Sequence, residues 1–264
     1  MLTNTVKARL KAGQPTVGNW ISLPSPSVVE LVSAYGMDWF VLDTEHSPIA
    51  GDLLEDMLRA LRGTDVVPIV RVAANDVALI KQALDRGGYG ILVPLVNTAE
   101  QARAAVAAAK YPPDGIRGTA GTRAMRYGMD LMDYFKTWNS QVLVGVQVET
   151  PEAVANVDAI AATPGVDVLF IGPNDLSAGL GYFRQFDRPE FKAAVDRILK
   201  AAQKHGVATG IMCGSDADEV LEKIDQGFTF ISAGSDTRLL SGATAAMYGK
   251  IKTGLAERKT AAKR

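Results

Sequence analysis

The stretch Trp39-Phe40-Val41-Leu42-Asp43-Thr44-Glu45-His46-Ser47-Pro48 decides how the whole chain is read. Four apolar residues run unbroken into two carboxylates and one of only two histidines. An apolar run of this length fits a strand covered on both faces, as in a parallel sheet, and the acids mark its emergence into a polar site. Val146-Gln147-Val148-Glu149 and Phe170-Ile171-Gly172-Pro173-Asn174-Asp175 repeat the pattern further along. Together the three suggest a metal-carboxylate site at strand ends.

Working outward from the strand at 39–43, the same alternation appears on both sides. Upstream, apolar spacing predicts a helix over 28–34, capped by Ser27 and stopped by Gly36. Before it lies a strand over 16–23, broken by Pro24 and Pro26, and an opening amphipathic segment over 6–12 that ends at Gly13. Downstream come a helix over 52–61, a strand over 67–72, a helix over 76–85 closed by Gly87-Gly88, a strand over 91–94 and an alanine-rich helix over 99–110. The residues 111–139 read as a long loop, of the kind that covers a site or a partner surface. Then follow a strand over 142–149, a helix over 151–162 with proline in its first turn, and a strand over 166–171. A helix over 189–205, a strand over 208–212, a helix over 216–225, a strand over 228–233 and a helix over 239–255 complete the chain.

About eight strands, each followed by a helix, in 264 residues read as an α/β protein with a (β/α)8 TIM barrel. A doubly wound sheet is the alternative. No Pro/Gly/Ser-rich linker divides the sequence, so 1–264 reads as one domain, with 257–264 a basic, solvated or disordered tail.

Composition sets the excluded classes. Lys plus Arg total 28 against 29 Asp plus Glu, which leaves no global basic field for nucleic acid or an anionic membrane. The single cysteine, Cys213, excludes an internal disulfide and a thiolate zinc site and fits a reducing compartment. The first ten residues carry charge where a signal peptide has its apolar core, and no apolar run approaches the roughly 18 residues of a membrane span. The sequence expectation is a cytoplasmic protein.

A barrel puts chemistry where strands end, so those ends are the candidates. They supply Asp43, Glu45 and His46, then Arg71, then Gln147 and Glu149, then Asp175. Taken singly, each acid could be a helix cap or a surface charge. Glu149 and Asp175 offer hard oxygen ligands suited to Mg²⁺, Mn²⁺ or a similar divalent ion. Arg71 is a fork for a substrate carboxylate or a developing enolate, or else a structural salt bridge. His46 is a candidate general base with Asp43 orienting it, or a loop histidine in water. His205 and Cys213 are given no catalytic role. The predicted strands contain no lysine for a Schiff base, and the glycine clusters at 87–90 and 115–118 do not match a dinucleotide fingerprint.

At this point the motifs resemble a family. Asp43-Thr44-Glu45-His46-Ser47-Pro48, Val70-Arg71, Leu92-Val93-Pro94, Tyr111-Pro112-Pro113-Asp114-Gly115-Ile116-Arg117-Gly118, Gln147-Val148-Glu149-Thr150 and Ile171-Gly172-Pro173-Asn174-Asp175-Leu176-Ser177 are similar to those of the HpcH/HpaI aldolases. These are class II pyruvate aldolases related to 4-hydroxy-2-oxoheptanedioate aldolase. The resemblance implies a divalent cofactor, Mg²⁺, Mn²⁺ or Co²⁺, on Glu149 and Asp175, with Glu45 and Asp43 near its waters. It implies that Gln147, Arg71 and the segment Gly172, Pro173, Asn174 hold a 2-oxoacid, and that His46 with Asp43 serves the proton transfers. Asp85 resembles an acid that reaches a neighbouring subunit's site. Trp20, Arg123 and Met212 are carried as further substrate contacts, and the family's hexamers of dimers suggest that the last helix is exchanged between subunits. Thr44 and Asn19 depart from the family pattern and leave the acceptor aldehyde open. The function implied is reversible cleavage of 4-hydroxy-2-oxoacids to pyruvate, or an analogue such as hydroxypyruvate, and an aldehyde. A citrate-lyase-like enzyme acting on CoA thioesters and a non-catalytic carboxylate-binding barrel are the alternatives.

Overall fold

A strand buried on both faces needs apolar side chains on both, and the eight stretches with that pattern are the eight strands of the computed structural model, which describes residues 3–262. They are β1 (Thr16–Ile21), β2 (Trp39–Asp43), β3 (Val67–Arg71), β4 (Gly90–Val93), β5 (Leu143–Val148), β6 (Val168–Ile171), β7 (Ala208–Met212) and β8 (Phe230–Ser235). All pair in parallel in chain order, and β8 returns to β1 to close the barrel. The TIM-barrel reading holds and the doubly wound sheet does not.

Period-two alternation sorts each strand. Trp20, Trp39, Val41, Ile69, Leu92, Leu143, Phe170 and Phe230 pack in the interior, while Phe40, Leu42, Val70, Ile91, Val144 and Ile171 join the larger cluster beneath the helices. At the base, Trp39 stacks on Phe230 with ring centroids 3.9 Å apart. Gly18 makes room for that indole, because a Cβ there would lie 2.1 Å from the Trp39 ring. One step beyond the apolar layer, the same inward positions carry Asp43, Arg71, Gln147 and Glu149. Polar chemistry at the mouth thus continues the register that builds the core.

The helices are α1 (Thr5–Lys11), α2 (Pro26–Ser33), α3 (Gly51–Ala60), α4 (Val77–Asp85), α5 (Ala99–Ala109), α6 (Leu131–Gln141), α7 (Pro151–Ala155), α8 (Val157–Ala161), α9 (Pro173–Gly179), α10 (Pro189–His205), α11 (Ala217–Asp225) and α12 (Asp236–Ala261). Local chemistry sets many of their starts: Ser25, Asp76, Thr98, Thr150, Asp216 and Ser235 each cap a helix through a side-chain oxygen. No helix among the described residues is long and apolar enough to cross a membrane.

Several sequence expectations need correction. The loop read over 111–139 contains a 3-10 turn, Arg123–Met125, and the start of α6, whose Tyr134 and Trp138 are buried and stack at 4.8 Å. The helix read over 151–162 is two short helices parted at Asn156, whose side chain donates to the Asn97 carbonyl at 2.9 Å. The segment after β6 forms α9, with Pro173 at its first position, where no backbone donor is lost. β8 lies two residues later than expected. Of the tail read as disordered, 257–261 continue α12, and 263–264 lie outside the described residues.

Candidate active site

Asp43 ends β2 beside Arg71, which ends β3 as its register partner. Arg71 donates from Nε to Asp43 Oδ1 at 2.9 Å and from Nη2 to Oδ2 at 2.6 Å. Its Nη1 lies 3.0 Å from Glu45 Oε2, and its guanidinium sits 4.7 Å over the Trp20 ring. Trp20 Nε1 also donates to Asp43 at 3.3 Å. Burial alone would push the Asp43 carboxyl up, but the hydrogen bond and charge of Arg71, with the backbone N–H groups of His46 and Glu45, hold it below the ordinary range. The cluster is a fixed cation with two N–H groups still free.

The roles of Asp43 and His46 differ from expectation here. Asp43 holds the backbone N–H of His46 at 3.2 Å, and its carboxylate is taken up by Arg71 and Trp20; it does not orient the imidazole. The ring, 66% exposed, lies 3.8 Å from Glu45. At the end of β5 the strand's alternation sends both Gln147 and, one residue past the strand, Glu149 toward the axis. Glu149 is 3% exposed, and its Oε1 accepts from the Leu95 N–H at 2.9 Å while Oε2 accepts from Gln147 Nε2 at 2.7 Å. Leu95 adopts φ 53, a conformation costly to a branched residue by roughly 1–2 kcal/mol, and so turns its N–H toward the acid. Gly172 faces Glu149 so closely that a Cβ would lie 2.3 Å from Oε2.

These residues fit a divalent cation. Burial raises the Glu149 carboxyl above its ordinary range; the Leu95 N–H opposes this, and the charges of Asp175 and Glu45 add to it. Glu45 is raised for the same reason, burial first, against the pull of Arg71. Two acids raised by burial and by neighbouring negative charge, next to a buried Gln147 Oε1 with no partner, make a site in which added positive charge is favourable. Among the described residues no three His, Cys, Asp or Glu side chains form a ready-made cage. Glu149 and Asp175 alone would hold the ion and leave positions for water and substrate oxygens.

Above them opens a cavity of about 220 Å³. Trp20, His46, Arg71, Gln147, Gly172, Pro173, Asn174, Asp175 and Met212 line it, so nine of the sequence candidates meet in one place. Cys213 lines it too, but burial pushes its thiol up to about 12, which leaves it a packing residue.

A sequence model described as HpcH/HpaI aldolase/citrate lyase matches residues 16–243. The chain belongs to the HpcH/HpaI aldolase/citrate lyase family. The 5-keto-4-deoxy-D-glucarate aldolase of Klebsiella pneumoniae subsp. pneumoniae is 41% identical over 249 residues, 94% of this chain and 97% of that protein. A family protein from Burkholderia cenocepacia J2315 superposes with a TM-score of 0.91 at 38% identity, covering 95% of this chain and 100% of that one. The HpcH/HpaI aldolase from Desulfitobacterium hafniense DCB-2 gives 0.87 at 29% identity, over 93% of this chain and 96% of that one. The protein is therefore an aldolase, a carbon-carbon lyase.

Two candidates lie elsewhere in this HpcH/HpaI aldolase protomer. Asp85, at the last residue of α4, accepts from Arg117 at 2.8 Å, and Arg117 is buried among Tyr111, Tyr134 and Trp138. Arg123 donates to the Arg86 carbonyl and lines a separate hollow with Arg59 and Tyr89. Neither reaches the mouth of its own barrel. Conversely, Arg184, Phe186, Glu219 and Arg238 line the mouth and were not singled out from sequence. Arg238 escaped because β8 was placed two residues early, which moved Ser235-Asp236-Thr237-Arg238 away from the strand end.

Proposed function

We propose that this aldolase reversibly cleaves 4-hydroxy-2-oxoacids to pyruvate, or an analogue such as hydroxypyruvate, and an aldehyde, with 5-keto-4-deoxy-D-glucarate as the leading substrate candidate. The observation that carries the reading is the meeting of the Arg71 clamp with Gln147 and Asp175 in one cavity, with Glu149 buried directly behind Gln147 and Gly172. A divalent ion on Glu149 and Asp175 would supply Lewis-acid stabilisation of the enolate formed on C–C cleavage. Arg71 uses its free N–H groups for the substrate carboxylate or that developing charge, and its orientation is already fixed by Asp43 and Glu45. Gln147 turns its amide toward the 2-oxoacid, and the backbone at Gly172 to Asn174 bounds it.

In cleavage, the 4-hydroxyl proton leaves to His46 at the solvent-exposed rim. The C3–C4 bond breaks, a carbonyl forms at C4, and the electron pair passes to C3 and the 2-oxo group. Protonation at C3 then completes pyruvate. For 5-keto-4-deoxy-D-glucarate, the same step yields pyruvate and 2-hydroxy-3-oxopropanoate. The enzyme self-associates through α12, in the manner of a hexamer built of dimers, which would also bring Asp85 and Arg123 toward a neighbouring mouth.

The test is a retro-aldol assay on a panel of 4-hydroxy-2-oxoacids after EDTA treatment, with Mg²⁺, Mn²⁺ and Co²⁺ restored one at a time. Turnover that survives EDTA unchanged would end the class II reading. Turnover of a CoA thioester in place of free oxoacids would replace it with the citrate-lyase-like one.

A further inference from the structure

We propose that Arg184 and Arg238 bind a second carboxylate, at the aldehyde end of the substrate, and thereby select 4-hydroxy-2-oxo diacids over monoacids. The inference rests on the function proposed above.

Three arginines line the mouth: Arg71, Arg184 and Arg238. Arg71 is already placed, since Asp43 and Glu45 contact its three nitrogens and Trp20 its face, and its two remaining N–H groups are assigned to the oxoacid half. Arg184 and Arg238 are exposed and, among the described residues, make no side-chain hydrogen bond or ion pair. The acids of the lining do not serve them: Glu219 accepts from the Gly214 N–H at 2.7 Å, and Asp175 faces the charges of Glu149 and Glu45. Two exposed guanidinium groups with solvent as their only partner are not held at the mouth by any contact of the fold. They are favourable as a fork for a carboxylate.

Their place in the barrel fits the acceptor side. The ends of β2, β3 and β5 and the first turn of α9 after β6 carry the groups assigned to the oxoacid half. Arg184 follows α9 after β6, and Arg238 lies in the first turn of α12 after β8, so the two flank the end of β7 with Met212, Cys213 and Gly214. That arc is the part of the mouth left for the substrate's far end.

Both are mounted on fixed backbone. The Arg184 N–H donates to the buried Ser177 Oγ at 3.0 Å, and its φ of 58 is the left-handed conformation held by that contact. The first turn of α12 is tied to the end of β1 by Asp236, which accepts from the Ser22 and Leu23 N–H groups at 3.1 and 2.8 Å. The guanidinium groups are thus mobile ends on anchored stems.

The test compares metal-restored enzyme on two substrates of equal length: a 4-hydroxy-2-oxo diacid and its counterpart with a terminal hydroxymethyl group. Arg184→Gln and Arg238→Gln are each expected to lower the diacid-to-monoacid ratio of kcat/KM by about tenfold to a hundredfold, mainly through KM for the diacid. Arg184→Lys and Arg238→Lys are expected to recover part of that ratio. A ratio unchanged in both Gln variants overturns the assignment, and so does an equal loss on both substrates, which would mark a structural role. Wild-type enzyme that cleaves both substrates, with a ratio no variant moves, defeats this assignment alone. Wild-type enzyme that cleaves neither defeats the proposed function and the assignment with it.

Discussion

Asp43 and Arg71 are direct register partners across β2 and β3, and their side chains meet in a two-pronged contact of 2.9 and 2.6 Å. Strand pairing therefore sets the arginine's position before any substrate arrives. A fork held this way pays little reorganisation when charge develops beside it, which is where electrostatic catalysis gains most.

Substitution at Arg71 tests that role. Arg71→Ala is expected to abolish both retro-aldol cleavage and proton exchange at C3 of pyruvate, since each requires the same enolate. Arg71→Lys keeps the charge but loses the planar fork, and kcat/KM is expected to fall by about 10²- to 10³-fold. Steady-state kinetics and proton NMR of pyruvate exchange measure the two. Rapid exchange in the Ala variant would remove Arg71 from enolate stabilisation.

Gly172→Ala is expected to separate folding from metal binding. Its Cβ would lie 2.3 Å from Glu149 Oε2 and 2.9 Å from Glu149 Cβ, so the carboxylate must leave its place. Gly172 has no positive φ, so the backbone tolerates alanine. Calorimetric titration with Mn²⁺ is expected to show affinity reduced by about tenfold to a hundredfold. Unaltered affinity would show that Glu149 is not a ligand in this position.

Much of this was legible in the sequence, and the reasons differ by element. The strand β2 was read to the residue because its five positions are apolar up to Asp43, and both faces are covered. The helix α10 was also read to the residue, from Pro189 at its start and Gly206 in the left-handed conformation at its end. Strand-end logic singled out Asp43, Arg71, Gln147, Glu149 and Asp175, which lie together at the barrel mouth. It failed for Arg184, which follows a short helix that looks like a loop, and for the Leu95 N–H, since a backbone donor leaves no trace in residue type. The expected Asp43–His46 pair failed because neighbours in sequence compete with neighbours across the sheet, and Arg71 has the better geometry.

The stability of metal-free enzyme is expected to depend on pH with a definite sign. Glu149, raised in the folded state from 4.5, binds more protons folded than unfolded in the window above that value. Its contribution is therefore lost as pH rises through the window. Glu149→Gln, which cannot ionise, is expected to gain stability relative to EDTA-treated wild type as pH rises from about 4.5 toward 7. At pH 7, Mn²⁺ at 100 times its Kd is expected to add about 2.7 kcal/mol to wild type and far less to the variant. Urea melts across the pH series decide it. A difference between the two proteins that stays constant with pH would show that Glu149 ionises normally.

The exposed face of α12 gives the last expectation. Leu240, Met247, Ile251 and Leu255 recur at helical spacing, each about half exposed or more, with Tyr248 beside them. A stripe of this kind along a 26-residue helix is unfavourable in water unless another surface covers it. Leu240→Glu combined with Ile251→Glu places two charges in the stripe without touching the barrel interior. In sedimentation velocity the wild type is expected to run as an oligomer and the double variant as a smaller species, with the far-ultraviolet circular dichroism of a folded barrel. Wild-type protein that sediments as a monomer at micromolar concentration would leave α12 without an exchanging partner, and Asp85 and Arg123 without a route to any active site.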